Sequence, residues 1–174
     1  TKVKELKNVG TFDARLPVPN MIPSSVQLPG TLQMCLSKGV LLKEHNADYL
    51  SDVALEWHRR YGVHAANVAP EFGTTQTKAY VEIAKVLNFT PFIDKLVEIS
   101  NNGKKYEKWL VVNTNTDDLD KAIISGHYYF SQPSFIEALS DLENWANRKS
   151  FDFQNFVRQK VRNSIERYLV HFGY

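Results

Sequence analysis

The chain has 174 residues, of which 43% are apolar and 23% are charged, and its net charge at pH 7 is +2. This composition is typical of a globular protein and excludes a disordered or collagen-like chain. The single cysteine, Cys35, excludes an internal disulfide bond and favours a reducing compartment.

Charged residues are distributed unevenly along the chain. Residues 1–43 carry six Lys/Arg against two Asp/Glu, residues 44–147 carry nine against fifteen, and residues 148–174 carry six against two. The two ends are therefore basic and the middle is acidic. This pattern suits docking of partners through complementary potentials. An uneven distribution without functional consequence is the alternative, and both interpretations stay open.

The N-terminal segment, residues 1–30, is predicted to be an extended arm. Four prolines between residues 11 and 30 bias the residues before them away from helical backbone angles. The arm also carries apolar side chains that would expose much hydrophobic surface if it hung free. We therefore expect it to lie on its own domain or on another chain, and the candidate partner-binding residues are Phe12, Leu16, Met21 and Ile22.

Residues 31–174 are predicted to form a single all-α domain of stacked helical hairpins. Apolar residues recur at helical spacing in successive segments, each preceded by a residue that can begin a helix. The predicted first residues or caps are Thr31, Asn46 or Asp48, Thr74 or Thr75, Thr90, Thr116 with the following Asp117 and Asp118, Ser134 and Ser150. The last helix is long and amphipathic and covers residues 151–172. β-branched and aromatic residues outnumber helix formers only near 106–112, which predicts at most one short strand there.

Three of the predicted helices open with an aromatic and aliphatic pair at a constant interval of 43 residues. The pairs begin at Tyr49, Phe92 and Phe135, and the dipeptide Lys78-Ala79 recurs at the same interval as Lys121-Ala122. Helix-pair repeats of about this length stack side by side in solenoid proteins. Chance recurrence in a helical chain is the alternative.

No sequence motif predicts catalysis, a cofactor or an assignable metal site. Glycine-rich phosphate loops, Gly-x-Ser-x-Gly and His-Glu-x-x-His are absent. The strongest polar cluster combines His45 with Asp48, Asp52 and Glu56, whose carboxylates recur at four-residue steps. Such carboxylates suit a hard cation such as Mg²⁺, although a solvated helix face is the favoured interpretation. An enzyme site within residues 45–64 would require His58 or Asp52 to be essential. His58 and His64 could act in acid-base chemistry, but the sequence identifies no nucleophile or acid as a partner for either.

The terminal helix is the strongest candidate for binding a polar partner. Its cations suit phosphate contacts, whereas an amphipathic helix also needs a charged outer face for solubility. The candidate nucleic-acid-binding residues are Arg158, Lys160, Arg162 and Arg167 on this helix, together with Arg148 and Lys149 just before it.

These features favour a non-catalytic structural or adaptor subunit of a larger multiprotein assembly. It would dock onto other protein subunits through its N-terminal arm and its helical surface. A nucleic-acid-binding protein and an enzyme of unknown class are the alternatives. No apolar stretch approaches the ~20 residues of a membrane-spanning helix. The expected compartment is intracellular and reducing, either the cytoplasm or an organelle matrix after removal of a targeting peptide.

Overall fold

A computed structural model describes residues 28–44, 47–110 and 116–174 of the chain. The helices are α1 (Leu28–Ser37), α2 (Asp52–Arg60), α3 (Pro70–Val86), α4 (Thr90–Gly103), α5 (Asp118–Ser125), α6 (Pro133–Arg148) and α7 (Phe153–Phe172). The strands are β1 (Lys43–Glu44) and β2 (Ala65–Ala66), and two 3-10 turns cover Lys105–Lys108 and Gly126–Tyr128. The prediction of a predominantly helical chain is confirmed. Within the described ranges, no helix is long and apolar enough to cross a membrane.

The two strands form a minimal parallel pair. Lys43 lies opposite Ala65, and Glu44 lies opposite Ala66. This pairing joins the segment that follows α1 to the segment that follows α2, because each strand comes soon after one of these helices.

The possible strand near 106–112 is replaced, in its described residues, by a 3-10 turn over Lys105–Lys108. The preceding residue, Lys104, ends α4 in a left-handed backbone conformation with a φ of 50°. The backbone N–H of Lys105 then donates to the hydroxyl of Tyr129 at 3.1 Å. A run of β-branched and aromatic residues makes a strand only where another strand pairs with it.

The first helix begins earlier than the sequence predicts. Because α1 starts at Leu28 rather than near Thr31, the last three residues of the predicted arm 1–30 are helical and not extended. Pro29 is compatible with this start, since the first turn of a helix does not use its backbone N–H groups as intrahelical donors. Residues 1–27, which contain the rest of the predicted arm, lie outside the described residues.

Two further helices use caps other than the predicted ones. α2 begins after Ser51, whose Oγ accepts a hydrogen bond from the backbone N–H of Ala54 at 3.2 Å. α7 begins after Asp152 rather than after Ser150, and the Asp152 carboxylate accepts from the N–H of Asn155 at 3.1 Å. Side-chain capping of this kind requires only a short polar residue, so several neighbours are equally good candidates in the sequence.

Proline marks the start of α4 and of α6. α4 begins at Thr90 with Pro91 in its first turn, as predicted. α6 begins at Pro133, one residue before the predicted Ser134 cap, and its N-cap residue Gln132 makes no side-chain capping bond. The fixed φ of proline suits the first helical position, and a polar cap is not needed there.

The packing divides the chain into two compact units. Unit 1 comprises Thr1–Glu71 together with Ile165–Tyr174, and unit 2 comprises Phe72–Ser164. Unit 1 contains a small apolar cluster of Leu32, Cys35, Leu42 and Val63. Unit 2 contains a larger core, which is rich in aromatic residues such as Tyr80, Phe92, Tyr129, Phe135 and Phe153. Whether residues 31–174 form a single domain, as the sequence predicts, is not decided by this division and stays a prediction.

Two members of the 43-residue pattern occupy similar positions in unit 2. Phe92 and Phe135 lie in the first turns of α4 and α6, and each is 1% exposed. Ala79 in α3 and Ala122 in α5 are also both buried. Tyr49, in contrast, precedes α2 and is only half-buried. The repeat stays a prediction.

Candidate functional site

The predicted partner-binding residues of the arm, Phe12, Leu16, Met21 and Ile22, lie outside the described residues. The structure therefore bears on candidate sites only through the helical part of the chain. That part carries a polar network in unit 1, basic side chains on α6 and α7, an exposed apolar edge and a charged cleft.

Arg167 on α7 is the centre of the polar network in unit 1. Its Nε lies 2.7 Å from Asp52 Oδ1, its Nη1 lies 3.3 Å from Glu71 Oε1, and its Nη2 donates to the carbonyl oxygen of Leu50. Burial lowers the pKa of Arg167, but the hydrogen bond to Asp52 and the nearby charges outweigh burial and raise it. The guanidinium is thus permanently charged, and the carboxylates of Asp52 and Glu71 already bind it.

Glu71, in the first turn of α3, is the main acceptor of this network. Its side chain is 12% exposed, and its Oε2 accepts from the hydroxyl of Tyr168 and from the backbone N–H of Tyr49. The Tyr168 hydroxyl also lies 3.0 Å from the carbonyl oxygen of Ala47. Burial, together with the hydrogen bond to Glu71, raises the pKa of Tyr168, so the phenol stays protonated at neutral pH.

Asp48 caps α3 from a distant point in the sequence. Its Oδ1 accepts from the backbone N–H groups of Ala69 at 3.0 Å and of Glu71 at 2.9 Å. α3 begins at Pro70, about one turn before the predicted start at residues 74–75. Since Ala69 has no side-chain acceptor, Asp48 supplies the one that the helix start needs. Burial raises the pKa of Asp48, and the two backbone donors oppose that shift.

The carboxylates of the predicted polar cluster do not form one group. Asp48 is predicted to lie on a solvated helix face with the other two carboxylates. It instead precedes α2 and is buried. Asp52 and Glu56 do share a face of α2, with side chains 57% and 49% exposed, and Asp52 is bound by Arg167. His45 lies outside the described residues. In the described part of the chain, no group of three or more His, Cys, Asp or Glu is placed to hold a metal ion.

The histidines of the hypothetical enzyme site are held by the backbone. His58 is fully buried in α2, and its Nδ1 donates to the carbonyl oxygen of Ala54 at 2.6 Å. His64 is exposed, and its Nδ1 accepts from the N–H of Leu42 at 3.2 Å. A dissolved substrate does not reach His58 without opening of unit 1. The enzyme interpretation stays a prediction.

Two of the cations predicted to bind nucleic acid lie around one tryptophan. The guanidinium carbon of Arg148 is 5.6 Å and the Nζ of Lys149 is 4.9 Å from the ring centroid of Trp145. Cations at such distances are attracted by the negative face of the ring. Both lie at the end of α6, just before the terminal helix.

The other four predicted cations lie on α7 but point in different directions. Lys160 forms a salt bridge with Glu82 at 2.8 Å, and Arg167 belongs to the network of unit 1. Arg158 and Arg162, four residues apart, are both exposed and share a face of the helix. Lys160 and Arg167 are therefore already paired with carboxylates. Nucleic-acid binding through these residues stays a prediction.

Large apolar side chains remain exposed in unit 1. On α7, Ile165 is 38% and Leu169 is 45% exposed, and we call this pair, one helical turn apart, the α7 apolar edge. The other large apolar residues that unit 1 exposes in its described part are Met34, Leu36, Leu41, Val53, Val170 and Tyr174, whereas the described part of unit 2 exposes Val86 and Ile136. The helical spacing of apolar residues predicts that Ile165 lies on the inner face of α7, yet this side chain is exposed. Spacing alone does not distinguish an exposed apolar residue from a buried one.

A cleft of about 610 Å³ opens in unit 1 and is lined by Glu56, Arg59, Arg60, Val170 and His171. We call it the α2–α7 cleft. Arg60 lies 3.7 Å from Glu56. His171 lies with its Nε2 3.3 Å from Asp52 and its Nδ1 3.7 Å from Glu56. Sequence reasoning missed this cleft, because its residues belong to two helices more than a hundred positions apart.

No protein-family profile matches the chain, and no curated protein sequence is significantly similar to it.

Proposed function

We propose that this protein is a non-catalytic structural or adaptor subunit that binds other protein subunits of a larger assembly. The α7 apolar edge, in which Ile165 and Leu169 are exposed one helical turn apart, is the observation that carries the proposal. Neighbouring apolar side chains that remain exposed are suited to contact with a partner protein. The predicted arm, which joins α1 in the same unit, would add further apolar contacts through Phe12, Leu16, Met21 and Ile22.

The use of the polar residues supports the same proposal. Asp48, Glu71, Arg167 and Tyr168 are engaged in capping, ion pairing and hydrogen bonding within unit 1. Groups that are held in this way stabilise a fold and have few remaining lone pairs or protons for a substrate.

The proposal is tested by making the α7 apolar edge polar. We expect the double variant Ile165→Lys and Leu169→Lys to lose its protein partners, because two desolvated apolar contacts become two charges that must be buried. Val86→Lys is the matched control, since Val86 is 63% exposed, ends α3 and belongs to unit 2. Association is measured by quantitative co-purification, and circular dichroism verifies that each variant folds. Unchanged association of the double variant would show that this edge is not the docking surface.

The arm is tested separately by deleting residues 1–27, which leaves α1 intact because that helix begins at Leu28. We expect association with partners to weaken at least about tenfold, since four apolar anchors are removed. If all partners bind the shortened chain as well as the full chain, the arm has no docking role.

The nucleic-acid alternative predicts a different behaviour. Phosphate contacts by Arg158 and Arg162 would make affinity fall steeply with salt concentration, and replacing both with Ala would reduce that slope. The adaptor proposal predicts instead that protein partners persist after nuclease treatment and that the variant with Ala at positions 158 and 162 retains them.

A further inference from the structure

We infer that the α2–α7 cleft binds an acidic peptide segment of a partner protein, with Arg59 as the residue that recognises a carboxylate. This inference rests on the proposed adaptor function and names the chemistry of one partner contact. Among the described residues, the cleft is lined by two guanidinium groups, one imidazole, one exposed valine and Glu56, all of which belong to unit 1.

Arg59 is held in position by the end of α7. Gly173 has a φ of +90°, and a Cβ added there would lie 2.7 Å from Cζ and 2.8 Å from Nε of Arg59. The guanidinium therefore packs directly against the backbone of this turn, which is closed by a 3.0 Å hydrogen bond from the N–H of Gly173 to the carbonyl of Val170. Glycine suits this position because it adopts the positive φ without strain and leaves room for the Arg59 guanidinium, which a side chain here would displace.

Arg59 is also available for a ligand. It forms no salt bridge with any residue in the described ranges, unlike Arg60, which faces Glu56, and Arg167, which is bound by two carboxylates. A planar guanidinium with free donors binds a carboxylate through two parallel hydrogen bonds. Because one side of its guanidinium already packs against the backbone at Gly173, less side-chain entropy is lost on binding than for a freely rotating arginine.

The lining of the cleft favours a peptide over a nucleic acid. Glu56 lies in the same wall as the arginines and would repel a continuous run of phosphates. Val170, which is 63% exposed, offers an apolar contact next to the cations. A segment in which carboxylates alternate with aliphatic side chains satisfies both features, because a spaced carboxylate can meet Arg59 without lying against Glu56, and the aliphatic groups cover Val170.

The inference is tested by fluorescence anisotropy with the full chain and a labelled peptide in which glutamates alternate with leucines. The matched probe replaces each glutamate with glutamine, and a labelled single-stranded oligonucleotide is the third probe. We expect the glutamate peptide to bind more tightly than both others. Arg59→Glu should weaken that binding about tenfold or more, while Arg158→Glu, an equally drastic change at an exposed position of unit 2, should leave it unchanged.

Gly173→Ala provides a second test that changes no charge. Its added methyl group displaces the Arg59 guanidinium, so binding of the glutamate peptide should weaken, while Gly30→Ala, where an added Cβ meets nothing within 4 Å, should have no effect. The inference is overturned if the two peptides bind equally or neither binds, if Arg59→Glu binds like the wild type, or if the oligonucleotide binds best. Two outcomes separate this inference from the adaptor proposal. If the α7 apolar edge variant loses its co-purifying partners and Arg59→Glu keeps them, only this inference is overturned. If the wild-type protein co-purifies with no partner but binds the glutamate peptide through Arg59, only the adaptor proposal is overturned.

Discussion

Arg167 occupies an environment that its sequence position does not predict. In the amphipathic terminal helix it counts as one of several solvent-facing cations, yet its side chain is only 31% exposed and bridges Asp52 and Glu71. The acceptors lie about a hundred positions away, and no local pattern signals them. The same is true of the contact between Tyr168 and Glu71. Pairing across such sequence distances depends on the packing of helices, which periodicity alone does not specify.

We predict that Arg167→Ala lowers the free energy of unfolding by about 1–3 kcal/mol. Without the guanidinium, the nearly buried carboxylate of Glu71 has no cation beside it. Because the Arg167 side chain is partly exposed in the wild type, the loss of stability should be smaller than for a fully buried ion pair. Chemical denaturation measures this change. Arg158→Ala, at an exposed position of the same helix, should shift it by no more than about 0.5 kcal/mol. Equal effects of the two substitutions would contradict the role assigned to the network.

We predict that His127 makes the protein less stable at acidic pH. Burial lowers the pKa of His127, and its Nδ1 has no hydrogen-bond partner among the described residues. The unfolded chain therefore binds a proton more readily than the folded chain, so stability is full above the ordinary histidine pKa of about 6.5 and is lost as pH falls through the lowered value.

The measurement compares unfolding free energies of the wild type and of His127→Gln between neutral and acidic pH. Since the other four histidines are common to both proteins, the difference between the two curves isolates His127. We expect the wild type to lose more stability on acidification than the variant. Parallel curves would refute this assignment.

At the scale of elements, the starts of the helices were predicted unevenly. Thr90-Pro91 marks α4 correctly because proline limits its own backbone angle wherever it occurs. Caps formed by short polar side chains were misplaced at α2 and α7, since neighbouring serine, threonine and aspartate residues are chemically interchangeable there. The start of α3 could not be predicted locally, because its acceptor is Asp48, which precedes another helix.

We predict that Asp48→Ala destabilises unit 1 through the start of α3. Two backbone N–H groups lose their acceptor, which costs about 1–2 kcal/mol for a helix cap. Asp48→Asn keeps an acceptor oxygen and removes the repulsion between Asp48 and Glu71, so we expect it to lose less than half as much. Hydrogen exchange of the amides of Ala69 and Glu71 measures the effect directly. Slow exchange at both amides in the alanine variant would contradict the capping role.

At the scale of the whole molecule, the sequence predicted the helical class but not the surface. Apolar periodicity identifies helices reliably because one face of each must be buried. It does not distinguish Ile165, which stays exposed, from Val157, which is buried on the same helix. The α2–α7 cleft was missed for a related reason, since surface clefts arise where helices meet. The arm, on which the first functional argument depended, lies outside the described residues.

The central claim is that this protein functions through bound protein partners, and mass spectrometry of the natively expressed, tagged protein tests it most directly. Purification is carried out with and without nuclease, for the wild type, for the Ile165→Lys and Leu169→Lys double variant and for Val86→Lys. We predict stoichiometric protein partners that survive nuclease, are retained by Val86→Lys and are lost from the double variant. A protein recovered alone, or partners released by nuclease, would contradict the claim.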